Sequence, residues 1–192
     1  MDSFNFVFSL FGLLLGLALA EVLGGFGAAI QERHKIRIGW LTPLLGLLVA
    51  FDLTTFWAWA WYSRKVVPAH SVVLLGTLVV TALYYLAAKL VFPQDREEWP
   101  DFDLYYFKHS RWVIGGILLC NTLLWAGQFA LGFNPFGLRM DQVASTVFFI
   151  QGIALMLIRG RRVSTALLVF AIVQYPAIAT YSYITRSEGT CF

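Results

Sequence analysis

Six long apolar runs, separated by short polar connections, fill almost the whole chain. They cover about 4–30, 39–62, 70–92, 111–132, 142–158 and 163–184. A transmembrane helix needs about 20 predominantly apolar residues, so each run can cross a bilayer once. The sequence therefore predicts an all-α integral membrane protein with a single domain over residues 1–192, built as a bundle of about six transmembrane helices.

The charged fraction of the chain is too small for a surface that faces water. Only 13% of the residues are charged and 59% are hydrophobic, with a mean hydropathy of +0.71. Soluble domains carry about 25% charged residues, so we expect the lipid bilayer to cover most of this surface. The short loops leave no room for a soluble catalytic module, and no P-loop, HExxH, GxSxG or GxGxxG motif is present. The sequence therefore favours a non-enzymatic protein without a cofactor or a metal site.

The basic residues predict the orientation, because Lys and Arg accumulate in cytoplasmic loops. Nine of them lie in the connections between helices 1 and 2, 3 and 4, and 5 and 6, namely Arg33, Lys35, Arg37, Arg96, Lys108, Arg111, Arg159, Arg161 and Arg162. The other side holds four, namely Arg64, Lys65, Arg139 and Arg186. Both termini are therefore predicted to lie outside the cytoplasm. Because the net charge of +3 comes from clusters at membrane edges, no nucleic-acid partner is expected.

The long connection 93–110 predicts a short interfacial helix between the third and fourth spans. Pro100 suits the first turn of a helix, and Asp101 and Asp103 suit the positive end of its dipole. Four side chains at helical spacing would share one face, namely Phe102, Tyr105, Tyr106 and His109. We interpret this face as an amphipathic lead-in to the fourth span, with a ligand-binding or partner-binding surface as the alternative.

Small residues occupy every fourth position along much of the first helix, and we call this row the glycine ladder. Its members are Gly12, Gly16, Ala20, Gly24 and Ala28. Small side chains let two helix backbones approach closely in a membrane, so Gly16 and Gly24 are predicted to lie in a tight helix–helix contact. The pattern leaves open whether the second helix belongs to the same chain, to another copy in a homo-oligomer, or to a different membrane protein.

Two acidic residues lie inside the predicted spans. Glu21 is in the first helix beside the ladder, and Asp52 is near the middle of the second, with Thr55 one turn further on. A charged carboxylate at such a depth costs about 3 kcal/mol or more. No basic residue matches their depth, since Lys89 can extend its ammonium group to the membrane edge. We therefore expect the acids to be protonated, hydrogen-bonded to neutral groups, or neutralised by a bound cation.

Every predicted helix contributes a polar side chain to one layer near the middle of the bilayer. Besides Glu21 and Asp52, the layer contains Tyr84, Asn121, Gln151 and Gln174. At a rise of about 1.5 Å per residue, these residues lie roughly 11 to 20 Å from the cytoplasmic ends of their helices. Together with Thr55 they are the candidate residues of a transport or ion pathway. The alternative is hydrogen bonding between helices, worth about 0.6–2 kcal/mol per contact.

Three stretches carry a resemblance to known sequences: LLLGLALAEVLGGF at 13–26, RIGW at 37–40, and DLYYF at 103–107 followed by Arg111 and Trp112. They resemble a group of small, uncharacterised bacterial multi-spanning membrane proteins, over about the first two thirds of the chain. The resemblance implies a bacterial inner-membrane location and assigns no activity.

Two functions fit these observations best. The first is a channel or transporter for protons, cations or a small polar solute, with Glu21 and Asp52 lining its path. The second is a non-catalytic membrane subunit or scaffold that docks a partner through the glycine ladder. A membrane-embedded enzyme or lipid-handling protein would rest only on the two carboxylates and the interfacial segment. The most informative observation is whether Glu21 and Asp52 face one shared, hydrated cavity.

Overall fold

The computed structural model describes residues 3–34, 37–62, 70–95, 98–130, 132 and 139–188. Within them the chain forms six α-helices: α1 Ser3–Gln31, α2 Leu41–Tyr62, α3 Ser71–Lys89, α4 Phe102–Ala130, α5 Arg139–Leu157 and α6 Arg161–Glu188. The described part of the chain contains no β-strand. The prediction of an all-α fold is therefore confirmed. Four basic residues used to predict the orientation, Lys35, Arg64, Lys65 and Arg96, lie outside the described residues.

Five of the described helices are long and apolar enough to cross a membrane, namely α1, α2, α3, α4 and α6. The apolar part of α5 is shorter and covers Val143–Leu157. The whole of α5 has 19 residues, which at about 1.5 Å per residue is close to the thickness of a hydrocarbon core.

The fourth helix is longer than the sequence predicted. It begins at Phe102 and continues without interruption to Ala130, so no separate interfacial helix precedes it in the described residues. The aromatic side chains assigned to the interface pack inside the protein instead, since Phe102, Tyr105 and Tyr106 are buried. Arg111, the first residue of the predicted fourth span, lies within α4, and its Nε donates to the carbonyl oxygen of Met156, 2.8 Å away at the end of α5.

The second helix occupies the centre of the bundle. It packs against α1, α4 and α6, and further contacts join α1 to α3, α3 to α4, α4 to α5 and α5 to α6. More than half of the apolar stretch of α2 is buried, 56%, against 17–28% in the other four membrane-length helices. Asp52, halfway along α2, lies in this buried part of the helix.

The loops at one end of the bundle are joined through their backbones. The Arg37 N–H donates to the Pro100 carbonyl at 2.8 Å, and the Phe102 N–H donates to the Arg37 carbonyl at 3.0 Å. The Thr42 hydroxyl donates to the Phe102 carbonyl at 2.6 Å. These bonds place the start of α4 against the start of α2, so that both helices enter the bundle at the same end.

Asp103 holds three elements together at that end. Its Oδ1 accepts a hydrogen bond from the backbone N–H of Leu41, at 3.0 Å, in the first turn of α2. Its Oδ2 forms an ion pair with Arg161 at the start of α6. Gly39 has a φ of +60°, and a Cβ added there would overlap the Asp103 carboxylate. A side chain at position 39 would therefore be strained and would also obstruct this junction.

Candidate functional site

The candidate site is centred on Asp52, which is only 4% exposed. Two phenols reach its carboxylate from different helices. The Tyr84 hydroxyl of α3 donates to Oδ2 at 2.5 Å, and the Tyr175 hydroxyl of α6 donates to Oδ1 at 3.0 Å. Both carboxylate oxygens therefore have a hydrogen-bond donor, which satisfies the requirement that a buried polar group be paired.

A fourth residue extends the network to α4. The Asn121 Nδ2 donates to the Tyr84 hydroxyl oxygen at 3.1 Å and to the Ile117 carbonyl at 3.0 Å. The chain Asn121 to Tyr84 to Asp52 is thus continuous, because the Tyr84 hydroxyl accepts from Asn121 and donates to Asp52. We call Asp52, Tyr84, Asn121 and Tyr175 the Asp52 cluster, and it joins α2, α3, α4 and α6.

An aromatic ring packs against each of the two tyrosines of the cluster. The ring of Phe56 lies 4.9 Å from that of Tyr84 in an edge-to-face arrangement, and the ring of Phe51 lies 6.1 Å from that of Tyr175. Tyr84 is fully buried. Because Asp52 and Tyr84 are buried, the dielectric around their hydrogen bond is low, and this bond is stronger than it would be in solution.

Asp52 has no basic partner in the described part of the chain, where the ion pair present is that between Asp103 and Arg161. Its negative charge would be stabilised by neutral donors, chiefly the two phenols. The described residues contain no group of three or more His, Cys, Asp or Glu side chains that could hold a metal ion. Since both phenols donate toward the carboxylate, the cluster suits a proton better than a bare cation, which needs several free oxygen lone pairs.

Glu21 lies away from this cluster. It lines a separate cleft together with Lys89 and Gln94, near the end of α3. The structure therefore brings Glu21 beside a lysine and not beside Asp52. Lys89 is the last residue of α3, whereas Glu21 lies ten residues before the end of α1. The two residues line the same cleft because of how these helices pack, which the sequence does not show.

The remaining residues of the predicted pathway are not part of the Asp52 cluster. The Thr55 hydroxyl donates to the backbone carbonyl of Asp52 at 2.8 Å and not to its carboxylate. Gln151 is buried and its Nε2 donates to the Leu167 carbonyl of α6 at 2.8 Å. Gln174 is partly buried, one residue before Tyr175. Of the seven predicted pathway residues, Asp52, Tyr84 and Asn121 are thus the ones joined by their side chains.

Sequence reasoning missed Tyr175 and chose its neighbour Gln174. The signal was present in the spacing of α6, where the buried residues Ser164, Leu168 and Ala171 follow a pattern of i, i+4 and i+7. The next position of that pattern, i+11, is Tyr175. Adjacent residues differ by about 100° around a helix, so Gln174 is directed away from the carboxylate.

Gly16 and Gly24 of the glycine ladder have no close neighbour in the described part of the chain. A Cβ placed at Gly16 or Gly24 would meet nothing within 4 Å. At Gly12 it would contact the Trp57 ring at 3.3 Å, whereas at Gly25, which is not a ladder position, it would overlap the Phe92 ring. Among the glycines of α1, Gly25 therefore makes the tightest contact within the described chain, and a tight contact of Gly16 and Gly24 with another copy or another membrane protein stays a prediction.

Helix geometry explains this difference. Residues spaced by exactly four positions turn by about 40° per step, since an α-helix has about 3.6 residues per turn. The ladder from Gly12 to Ala28 therefore winds around α1. The buried face follows alternating steps of four and three instead, through Phe11, Leu15, Ala18, Val22 and Ala29, and Gly25 belongs to that series.

No protein-family model matches the chain, and no curated protein and no solved structure matches it.

Proposed function

We propose that this chain is a polytopic membrane protein that moves protons, or a small cation, through a polar layer centred on Asp52. The observation that carries the proposal is a carboxylic acid inside the central helix, bound by two phenols and lacking a basic partner among the described residues. Ionisable residues inside membrane spans are costly, and where they occur they mark proton relays and ion pathways. We propose no enzymatic activity.

The arrangement of donors supports a relay. Each of the two carboxyl oxygens of Asp52 can carry the acidic proton, or accept a hydrogen bond from a phenol when it carries none. Tyr84 donates to Asp52 while accepting from Asn121. When Asp52 is protonated, its carboxylic acid O–H can donate to a phenol oxygen, so the carboxyl group can take up a proton at one oxygen and release it from the other.

A scaffold is the second candidate, because the same bonds tie four helices together. Each contact would then add about 0.6–2 kcal/mol to bundle stability, and the partner would be another copy or another membrane protein. The open positions Gly16 and Gly24 favour this reading, since nothing within the described chain would contact a Cβ there.

We propose a bacterial inner-membrane location with six spans and both termini outside. The α5 helix is the sixth span in this proposal because it packs along α6, with the Gln151 amide bonded to the Leu167 carbonyl. A reporter that works only in the cytoplasm should be active when fused at Gly160 and silent when fused within 62–66. The reverse pattern would invert the orientation, and activity at both sites would remove one span.

The proposed activity is tested by measuring flux into liposomes that contain the purified protein. With an imposed membrane potential and a pH-sensitive dye inside, we expect the liposomes to acidify or alkalinise faster than protein-free liposomes. Parallel assays with sodium, potassium and calcium identify the transported ion. If none of the four ions moves faster than in protein-free liposomes, the scaffold replaces the transport proposal.

A further inference from the structure

A cleft of about 180 Å³ lies between α1 and the end of α3, separate from the Asp52 cluster. Its polar lining residues are Glu21, Lys89 and Gln94, and Gly24 and Phe92 contribute to its walls. A water molecule occupies about 30 Å³ in the liquid, so the cleft has room for a small group of several heavy atoms. The absence of a side chain at Gly24 helps to keep this space open, since a Cβ there would meet no atom within 4 Å.

The cleft contains an acid and a base that do not pair with each other. Neither Glu21 nor Lys89 forms an ion pair with any of the described residues, in contrast to Asp103 and Arg161. The Lys89 ammonium lies 5.9 Å from the centre of the Tyr85 ring, so it is directed along α3 and not at Glu21. Two opposite charges held apart across one space fit a ligand that carries the complementary charges at its two ends.

We propose that this cleft binds a zwitterion with a primary ammonium group and a phosphate group. Glu21 would accept hydrogen bonds from the ammonium, while the Lys89 ammonium and the Gln94 side-chain amide would donate to the phosphate oxygens. Both phosphatidylethanolamine and free phosphoethanolamine have this chemistry. The site does not depend on the function proposed for the Asp52 cluster, because the two share no residue.

The position of the cleft makes a membrane lipid an accessible source. Lys89 is the last residue of α3, and Gln94 is exposed in the connection that follows. Long basic side chains at such helix ends extend toward the headgroup region. A lipid headgroup could therefore enter from the membrane edge, whereas the free compound would enter from water.

The experiment measures lipids retained on the protein by native mass spectrometry after purification from mixed liposomes of phosphatidylethanolamine, phosphatidylcholine and phosphatidylglycerol. Loss of one charge-assisted contact corresponds to a change of about ten-fold. We expect Glu21→Gln to lower retention of phosphatidylethanolamine about ten-fold without lowering that of phosphatidylglycerol. We expect Lys89→Gln to lower retention of both lipids.

Matched controls use residues of the same type outside the cleft. Glu98→Gln and Lys108→Gln change exposed charges and should leave the retained lipids unchanged. Gly24→Leu fills the cleft and should abolish retention of phosphatidylethanolamine. Gly16→Leu adds the same side chain to the same helix at another open position and should have no effect.

Free phosphoethanolamine, added to protein in detergent without lipid, distinguishes the two sources. A higher melting temperature for the wild type than for Glu21→Gln would show that the headgroup alone binds. No shift together with selective lipid retention would assign the site to the lipid. The proposal is overturned if Glu21→Gln retains lipids as Glu98→Gln does, or if the two leucine variants behave alike.

Discussion

Replacing Asp52 with Asn is expected to stop ion flux while leaving the bundle folded. Asn keeps the size of the side chain and retains one carbonyl oxygen as an acceptor for a phenol. Its amide cannot take up or release a proton near neutral pH, so a relay through this position loses its central group. Flux should fall to the rate of protein-free liposomes, whereas helix content and elution on size exclusion should remain those of the wild type.

The Asp52→Leu variant tests whether the structure needs a hydrogen-bond acceptor at this position, separately from the need of transport for a titratable proton. Asp52→Leu would leave the Tyr84 and Tyr175 hydroxyls without their acceptor. Each buried polar group left unpaired costs about 1–3 kcal/mol, so the bundle should lose about 2–6 kcal/mol. Unfolding in a graded mixture of denaturing and mild detergents measures this loss.

The tyrosine next to Tyr84 in the sequence, Tyr85, provides a matched control for the Asp52 cluster. Tyr84→Phe removes the donor to Asp52 and the acceptor of Asn121, and it should slow flux. Tyr85→Phe makes the same chemical change at the next residue of α3, on a side chain outside the Asp52 cluster, and should leave flux unchanged. If Asp52→Asn or Tyr84→Phe supports flux at the wild-type rate, the Asp52 cluster is a structural tie and not a relay.

The second large effect is expected at Gly25, where Ala should destabilise the protein. The added methyl group would overlap the Phe92 ring, whose Cγ would lie 2.6 Å from it. Phe92 cannot easily move away, because it is buried and its ring packs edge-to-face against the rings of Phe26 and Phe102. Overpacking of this kind typically costs about 1–3 kcal/mol.

The adjacent glycine serves as the control for this prediction. Gly24→Ala makes the same change one residue earlier, where no atom lies within 4 Å of the new Cβ. Because Ala is favoured over Gly inside a helix by about 0.8–1 kcal/mol, this variant should be as stable as the wild type or more so. Equal stability of the two variants would contradict the packing described for Phe92.

Positions along the helix axes could be read from the sequence. The apolar runs predicted six helices, of which all but α4 begin and end within about four residues of the observed bounds. The depth estimate placed Asp52, Tyr84 and Asn121 in one layer. These three side chains are indeed hydrogen-bonded in a row. Counting from the helix ends worked for these three residues because the rise is about 1.5 Å per residue in an α-helix. It failed for Glu21, since Lys89, which was placed at another depth, lines the same cleft.

The sequence did not predict how each helix is rotated about its axis, and therefore which of its faces is turned to the interior of the bundle. In water, an apolar face indicates the core, but in lipid both the core and the outer surface are apolar. The sequence consequently did not distinguish Tyr175 from Gln174, or the packed Gly25 from the open Gly24. For the same reason Phe102 and Tyr106 were assigned to the interface, although both are buried.

The sequence by itself therefore determined the class of fold, the approximate ends of the helices and the acidic residue at mid-depth. Tertiary packing decided which side chains meet Asp52, and it placed Glu21 beside Lys89 in another cleft. The physical reason is that helix formation depends on local backbone hydrogen bonds and apolar length. Contacts between helices depend on shape and on a few polar side chains, which become neighbours only once the bundle has assembled.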